Sequence, residues 1–318
     1  FETSADSRPY LDQSDPRSDF IVRWRFWRQW AVETNPSFAY LPADTRVPDH
    51  TIWNHMSLTS AFQGCSEKTT SDSNSIQASL LLFSIGPVQP LIAAARNFRD
   101  LWSGSFLLSY LIAEGMGVIC KHLGPDHILF PNIWGVPLID LMLKEVYQSA
   151  KVRTDLDKTL WDQLWVNNSR NRQWYLQPNL PNRFLALVPA SRATEIATAV
   201  KTHIEATLQD IGHAVIKHLD PKLGTEATKN QVGVEQWFPE RIAPQLKSSI
   251  ECQWQTFNIP TSFQEIIRVA EEFLPRESNG TESAALASVK RLREMWDSLP
   301  RGHHTSYGLL TPTSAWPV

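Results

Sequence analysis

The chain has 318 residues, with 30 Lys+Arg against 33 Asp+Glu, 42% hydrophobic residues, 13 Trp, 21 Pro and only 13 Gly. That length supports one large domain or two ordinary ones with filled cores, and the composition excludes disordered and collagen-like chains. The formal charge of −3 excludes a globally basic nucleic-acid-binding domain, while leaving room for a local basic patch.

Residues 1–20 are polar and turn-rich. In the segment after them, Trp24, Trp27 and Trp30 recur at i, i+3 and i+6 with Arg23, Arg25 and Arg28 between them, which predicts an amphipathic helix. A proline-containing loop over 41–49 leads to a short helix over 51–62, with Ile52, Met56 and Phe62 as its core contacts. Residues 65–78 are rich in Ser and Thr and nearly free of hydrophobes, which predicts a linker and a domain boundary. Leu80 to Ile85 is an unbroken apolar run ended by Gly86-Pro87, the pattern of a buried strand entering a turn.

A helix is expected from Val88 to Trp102, with Val88, Leu91, Ile92, Ala95 and Phe98 on one face. Ser103-Gly104-Ser105 is read as its interruption, before a second apolar helix from Phe106 to His122. A turn at 124–126 precedes a short strand over 127–131. Residues 133–182 form a Trp- and Asn-rich insert with one helix at 155–166. A strand over 184–189, a long helix over 190–219 and an alternating strand over 250–259 complete the regular part. Two further helices are expected at 261–274 and 282–299. The order strand, helices, strand, strand, helix, strand is that of a split βαβ unit. The fold class expected is therefore α+β: a ferredoxin-like domain over 76–260 with an insert at 133–182. It is flanked by a helical N-terminal segment over 1–70 and a helical C-terminal segment over 261–318.

No window approaches the roughly 18 uninterrupted apolar residues of a spanning helix, so no membrane partner is expected. The chain opens Phe1-Glu2-Thr3-Ser4, polar, without Met and without a signal peptide, which suggests a portion of a longer polypeptide or a reduced variant. Cys65, Cys120 and Cys252 are few, far apart and without a C-x-x-C pair. Neither a disulfide framework nor a four-cysteine zinc site is expected, and a cytoplasmic location is.

The most specific stretch runs Phe83-Ser84-Ile85-Gly86-Pro87-Val88-Gln89 and continues Ala95-Arg96-Asn97-Phe98-Arg99-Asp100-Leu101-Trp102-Ser103-Gly104-Ser105-Phe106-Leu107-Leu108-Ser109. It resembles the first polymerase/cyclase-like palm in the large subunit of type III-B (Cmr-type) CRISPR effector complexes. A second stretch, Leu41 to His55 with Thr59-Ser60-Ala61, is similar to the segment that joins that family's N-terminal HD region to the palm. The resemblance is good over 40–130 and looser through 251–260 and the tail Tyr307-Gly308-Leu309-Leu310.

Two physical readings of the first motif stand side by side. In one, Gly86-Pro87 ends a strand and leaves the N–H groups of the next helix free to hold an anion. Gln89, Arg96, Arg99, Asp100 and the small groups Ser84, Ser103, Gly104 and Ser105 then surround a nucleotide. In the other, the motif is an ordinary strand–turn–helix with an i, i+4 ion pair between Arg96 and Asp100 and a glycine-permitted kink. The resemblance implies the first: half of an ATP pocket for cyclic oligoadenylate synthesis, shared with a second palm.

The departures from the family pattern are specific. The chain has no Gly-Gly, Asp-Asp or His-Asp dipeptide, so it lacks both the Gly-Gly-Asp-Asp turn that holds the catalytic metals and the HD nuclease motif. Asn54 stands where many relatives have Asp, removing a hard metal ligand. No catalytic residue is assigned, and divalent metal is expected only where a second palm completes the site. Alone, the chain is expected to be inactive. The partners that the resemblance implies are the other subunits of the complex, the guide RNA near its 5′ handle, and the target RNA. An alternative is a purely structural subunit that has lost nucleotide binding.

Within the insert, Arg170 and Arg172 with Trp174 form a basic and aromatic stretch suited to RNA or subunit contact. The Arg and Trp residues of 23–30 could do the same, although docking of the tryptophans on the core is preferred. His213 and His218 are expected near a helix end, where they suit the macrodipole. His50 and His55 are expected in packing or hydrogen bonding. His303 and His304, adjacent on a loop, lack the partners for a metal site.

Overall fold

The computed structural model describes residues 10–11, 16–43, 50–68, 74–152, 155–167, 177–227 and 242–260, with isolated positions between 265 and 294. The strands are β1 (Tyr10–Leu11), β2 (Ser66–Lys68), β3 (Asn74–Ile76), β4 (Ala78–Gly86), β5 (Ile128–Phe130), β6 (Ala150–Val152), β7 (Asp155–Thr159), β8 (Arg183–Pro189) and β9 (Glu251–Asn258). The helices are α1 (Pro16–Thr34), α2 (Ile52–Gly64), α3 (Val88–Ala93), α4 (Phe98–His122), α5 (Pro137–Met142), α6 (Lys144–Ser149), α7 (Leu160–Asn167), α8 (Ala193–Ala227) and α9 (Ala243–Ser249). The fold is α+β, as expected.

The main sheet has four strands in the order β5-β8-β4-β9, each neighbouring pair antiparallel. The first and third strands of this sheet in chain order, β4 and β8, lie at its centre, and the second and fourth, β5 and β9, lie at its edges. This order follows from two interleaved strand–helix–strand crossovers, β4-α4-β5 and β8-α8-β9. Central β4 is the apolar run legible in the sequence. Its odd-numbered side chains Leu81, Phe83 and Ile85 are buried, whereas Leu82 on the opposite face is 42% exposed.

The sheet's inner face is fixed by aromatic cross-strand pairs. Phe83 lies opposite both Phe184 and Trp254 in register. Their rings stack in one row, at 5.3 Å from Phe83 to Phe184 and 6.3 Å from Phe83 to Trp254. Onto this face pack Leu111, Ile112, Met116 and Ile119 of α4 and Ile196, Ala197, Val200 and Ile204 of α8. The two helices cross where Gly115 leaves no side chain. A Cβ there would stand 2.8 Å from Ile204 Cδ1 and 3.1 Å from Val200 Cγ1, so only glycine permits this approach.

An 18-residue window of α4 has a mean hydropathy of 1.4, enough by length and composition to cross a membrane, but 56% of that window is buried inside the fold. Its apolar character belongs to the core.

The flanking elements are more integrated than the sequence suggests. Ile21, Val22 and Phe26 of α1 enter the same core as the sheet. The Arg25 guanidinium is buried rather than free for RNA, donating from Nε to Asp140 Oδ1 at 2.9 Å and from Nη2 to Oδ2 at 3.0 Å. Burial pushes the Asp140 carboxyl up against the pull of Arg25 and the Tyr147 hydroxyl. Trp24 and Trp30 pack half-buried on the core, and Arg28 stacks over the Trp134 ring at 4.5 Å.

Five sequence expectations are corrected. Residues 66–68 and 74–76 of the expected linker pair as a hairpin, and Cys65 packs with Ala61, Ala78 and Leu187. The insert expected to hold one helix carries α5, α6, β6, β7 and α7, and residues 155–159 are a strand whose pairing with β6 overrides their helical pattern. In α2 the buried residue is Ala61, while Met56 is 42% exposed. Helix α8 continues through Pro221 to Ala227, so His213 and His218 lie inside it rather than at its end. The break expected at 103–105 falls at 94–97 instead. Residues 170, 172, 174, 303 and 304 lie outside the described residues.

Candidate nucleotide site and its surroundings

The motif over 83–105 begins at the end of β4. Gly86 pairs with Glu251 of β9 and is partly buried, and the Gly86-Pro87 bond is cis. Asn182 secures this end from the neighbouring strand's approach: Ile85 N–H donates to the Asn182 carbonyl, and the Asn182 amide donates to the Ile85 carbonyl, both at 2.9 Å. Ser84 lies on the sheet's outer face and is half-buried.

The helix that follows is short. α3 ends at Ala93, and the chain restarts as α4 at Phe98 after a turn, so the break lies at 94–97 instead of 103–105. The reason is capping: the Asn97 side chain accepts from Asp100 N–H at 2.9 Å and satisfies a donor of the first turn. Ser103-Gly104-Ser105 lies within α4. Gly104 faces Leu91 of α3, whose Cγ and Cδ2 would be 3.6 Å from a Cβ at that position. This crossing draws the α3 half of the motif, with Gln89, onto the α4 half.

Around that crossing the polar residues are open to solvent. Gln89, Arg96, Arg99 and Ser103 are exposed, and Gly104, Ser105 and Asp100 are half-buried. The expected i, i+4 pair forms: Arg96 Nε donates to Asp100 Oδ2 at 3.0 Å. The Arg96 guanidinium, assisted by its backbone N–H, holds the Asp100 carboxyl below its ordinary value. Arg96 is exposed and Asp100 only half-buried, so the pair adds little stability. Arg99 lies one residue round the helix from this pair.

The sequence reading missed an aromatic stripe on α4. Phe98, Trp102, Phe106 and Tyr110 follow at intervals of four; Trp102 and Phe106 stack at 5.7 Å, and Phe106 and Tyr110 at 6.2 Å. Phe98, assigned to the buried face, is 80% exposed, and Ile92 is also exposed. Burial along α4 rises gradually: Phe98 and Trp102 are exposed, Phe106 and Leu107 pack half-buried on the core, and full burial starts at Leu108. The i, i+4 spacing of four aromatics was the signal available in the sequence. At the far end of the stripe, Glu114 bonds His203 Nε2 at 2.8 Å, and burial together with Glu114 raises the Tyr110 hydroxyl to about 12.

Residues 80–213 match the family model described as CRISPR-associated protein Cmr2, N-terminal. The resemblance to the Cmr-type large subunit holds. The chain is 34% identical over 167 residues to a Cmr subunit Cmr2 of Pyrococcus furiosus, covering 52% of this chain and 15% of that protein. It is 30% identical over 115 residues to a Cmr subunit Cmr2 of Saccharolobus solfataricus, covering 36% of this chain and 11% of that protein. It therefore spans only a small part of the length of these Cmr2 relatives. Among solved structures, it is similar to chains of a type III-B Cmr-beta complex in the apo state (TM-score 0.58, 15% identity, 90% of this chain and 28% of that one) and bound to cognate target RNA (TM-score 0.53, 15% identity, 95% and 29%). At that identity the structural likeness speaks for the fold alone. The matched span of the Cmr2 model takes in β4, the 83–105 motif, α4, β5, β8 and the first half of α8.

Proposed function

We propose that this chain supplies the first palm of a Cmr2-type large subunit in a type III-B CRISPR ribonucleoprotein, working in the cytoplasm. There it contacts neighbouring subunits and RNA, and contributes half of an ATP pocket. The observation that carries the reading is the coincidence of the Cmr2 match with the strand–turn–helix at 83–105. That motif offers solvent-open Gln89, Arg96, Arg99 and Ser103 around the α3–α4 crossing. Arg99 and the small side chains suit a phosphate or ribose; Phe98 and Trp102 offer ring faces to a base. Among the described residues, no three His, Cys, Asp or Glu side chains gather as a metal site. The metal-holding carboxylates of oligoadenylate synthesis therefore belong, in this proposal, to a second palm.

The test is ATP binding by the assembled complex, with Arg99→Ala and Ser103→Ala introduced separately in this chain. Each is expected to weaken ATP binding at least ten-fold without changing assembly. Unchanged binding in both would favour a second reading, a structural subunit without a nucleotide role. One observation favours that alternative: Ile92 of α3 and Phe98 and Trp102 of α4 are large apolar side chains left exposed, which suits burial against a partner protein.

A further inference from the structure

The two edges of the main sheet are built differently. Strand β5 is three residues long, shifts register against β8 and is followed at once by Pro131. Short length, irregular register and proline are devices that keep a sheet edge from pairing further. Strand β9 is long and regular instead. Its eight residues contain no proline and no lysine, keep unbroken register with β4, and carry a single charge, at Glu251.

Pairing with β4 decides which backbone groups of β9 stay open. Ile259 N–H donates to the Ala78 carbonyl at 2.8 Å, so the odd-numbered residues of β9 turn their N–H and C=O groups toward β4. The even-numbered residues Cys252, Trp254, Thr256 and Asn258 turn theirs outward. Among the described residues no strand lies on that side, so these groups form a template for one. The ring row Phe184, Phe83, Trp254 also ends at this edge, with Trp254 only half-buried. On the opposite face of the strand, Phe257 is 41% exposed.

We propose that β9 pairs antiparallel with β9 of a second copy of this chain, about a two-fold axis at Trp254. In that register the two Trp254 residues exchange N–H to C=O hydrogen bonds, and Cys252 does so with Thr256 of the other copy. The axis stands perpendicular to the sheet, so inner face continues into inner face and the aromatic row runs on through both Trp254 rings. On the outer face Gln253 comes beside Gln255, and their amides can each donate and accept. Glu251 falls beside Phe257 rather than beside its own copy, so no like charges meet. A second copy is favoured over an unrelated strand because this self-pairing opposes no charges and gives the open flank of Trp254 an aromatic neighbour. It also consumes the one open edge of each sheet, and the blunted β5 edge stops assembly at two.

The experiment measures the mass of the full chain by sedimentation equilibrium, from micromolar to submillimolar concentration. A monomer–dimer equilibrium is expected. Thr256→Pro removes an outward N–H and leaves the β4 ladder intact, and should weaken dimerisation at least ten-fold. Cross-linking reads the register, because Gln253 and Gln255 of the two copies face each other at a non-hydrogen-bonded position, within disulfide reach. The double variant Gln253→Cys with Gln255→Cys should form a covalent dimer on mild oxidation, and neither single variant should. This pattern decides alone if Thr256→Pro does not fold. A chain monomeric throughout would leave the edge to a strand of a different polypeptide and overturn the second copy. A dimer equally tight in Thr256→Pro would overturn pairing through β9, and equal cross-linking by Gln255→Cys alone would overturn the register about Trp254.

Discussion

The buried ion pair that fastens α1 to α5 gives a sharp test of how the N-terminal helix is held. The Arg25 and Asp140 side chains are 8% and 7% exposed and meet in a two-pronged contact. Gln29 accepts from Arg25 Nη1 at 2.8 Å, and the Tyr147 hydroxyl stands 3.4 Å from Asp140 Oδ1. Removing one partner by Asp140→Ala strands a guanidinium in the interior, at a cost of roughly 3–5 kcal/mol. Replacing both by apolar groups, Arg25→Met with Asp140→Leu, removes the charges together, and similar replacements elsewhere are neutral or stabilising by about 1–4 kcal/mol. Here Tyr147 and Gln29 each lose a partner, worth about 1 kcal/mol apiece. The double variant is therefore expected to recover at least half the loss of the single one. Urea unfolding at neutral pH, followed by far-ultraviolet dichroism and tryptophan fluorescence, reads both quantities. A single-variant loss below about 1 kcal/mol, or a double variant no better than the single, would refute the account of a desolvated, mutually dependent pair.

Two further outcomes follow from close approaches and charges. Gly115→Ala should destabilise by about 1–3 kcal/mol, despite alanine's better helix propensity, because its methyl meets Ile204 and Val200 in a filled core. Adding Ile204→Val, which removes the crowding Cδ1, should restore part of that loss in the same urea assay. The Asp100 carboxyl, held below its ordinary 3.8 chiefly by Arg96, should titrate below that value by NMR and rise toward it in Arg96→Ala. The sign is that of a depressed acid: the stabilisation is present above the unfolded value and is lost as pH falls through the folded one. A titration unchanged by Arg96→Ala would remove the pair as the cause.

The sheet was the most legible part of the chain, because its signals are local. Leu80 to Ile85 is apolar on both faces and closed by Gly86-Pro87, and 250–259 alternates, so β4 and β9 were readable to within two residues. The strand order followed because split βαβ units leave few alternatives. The insert was less legible: β6 exists through pairing with β7 and with the distant β1, and no periodicity in 155–159 announces a partner.

At the motif, the residue types were readable but their placement was not. Ser103-Gly104-Ser105 carries the composition of a break, yet Asn97 captures the Asp100 amide and starts the helix earlier, and the apolar turns beyond carry it through. Phe98 was assigned to the core because it fits the apolar spacing of α3. Once the helix restarts at 98, that spacing no longer applies.

Because α4 is one uninterrupted helix of 25 residues, its exposed and buried turns share a single hydrogen-bonded ladder. A force or ligand acting on Phe98 to Ser105 has no hinge in which to dissipate before Leu108. The inner turns are clamped at Gly115 against α8. Occupancy of the outer turns should therefore be visible as slowed amide exchange in the buried turns around Ile112 and Met116, beyond the reach of the contact itself.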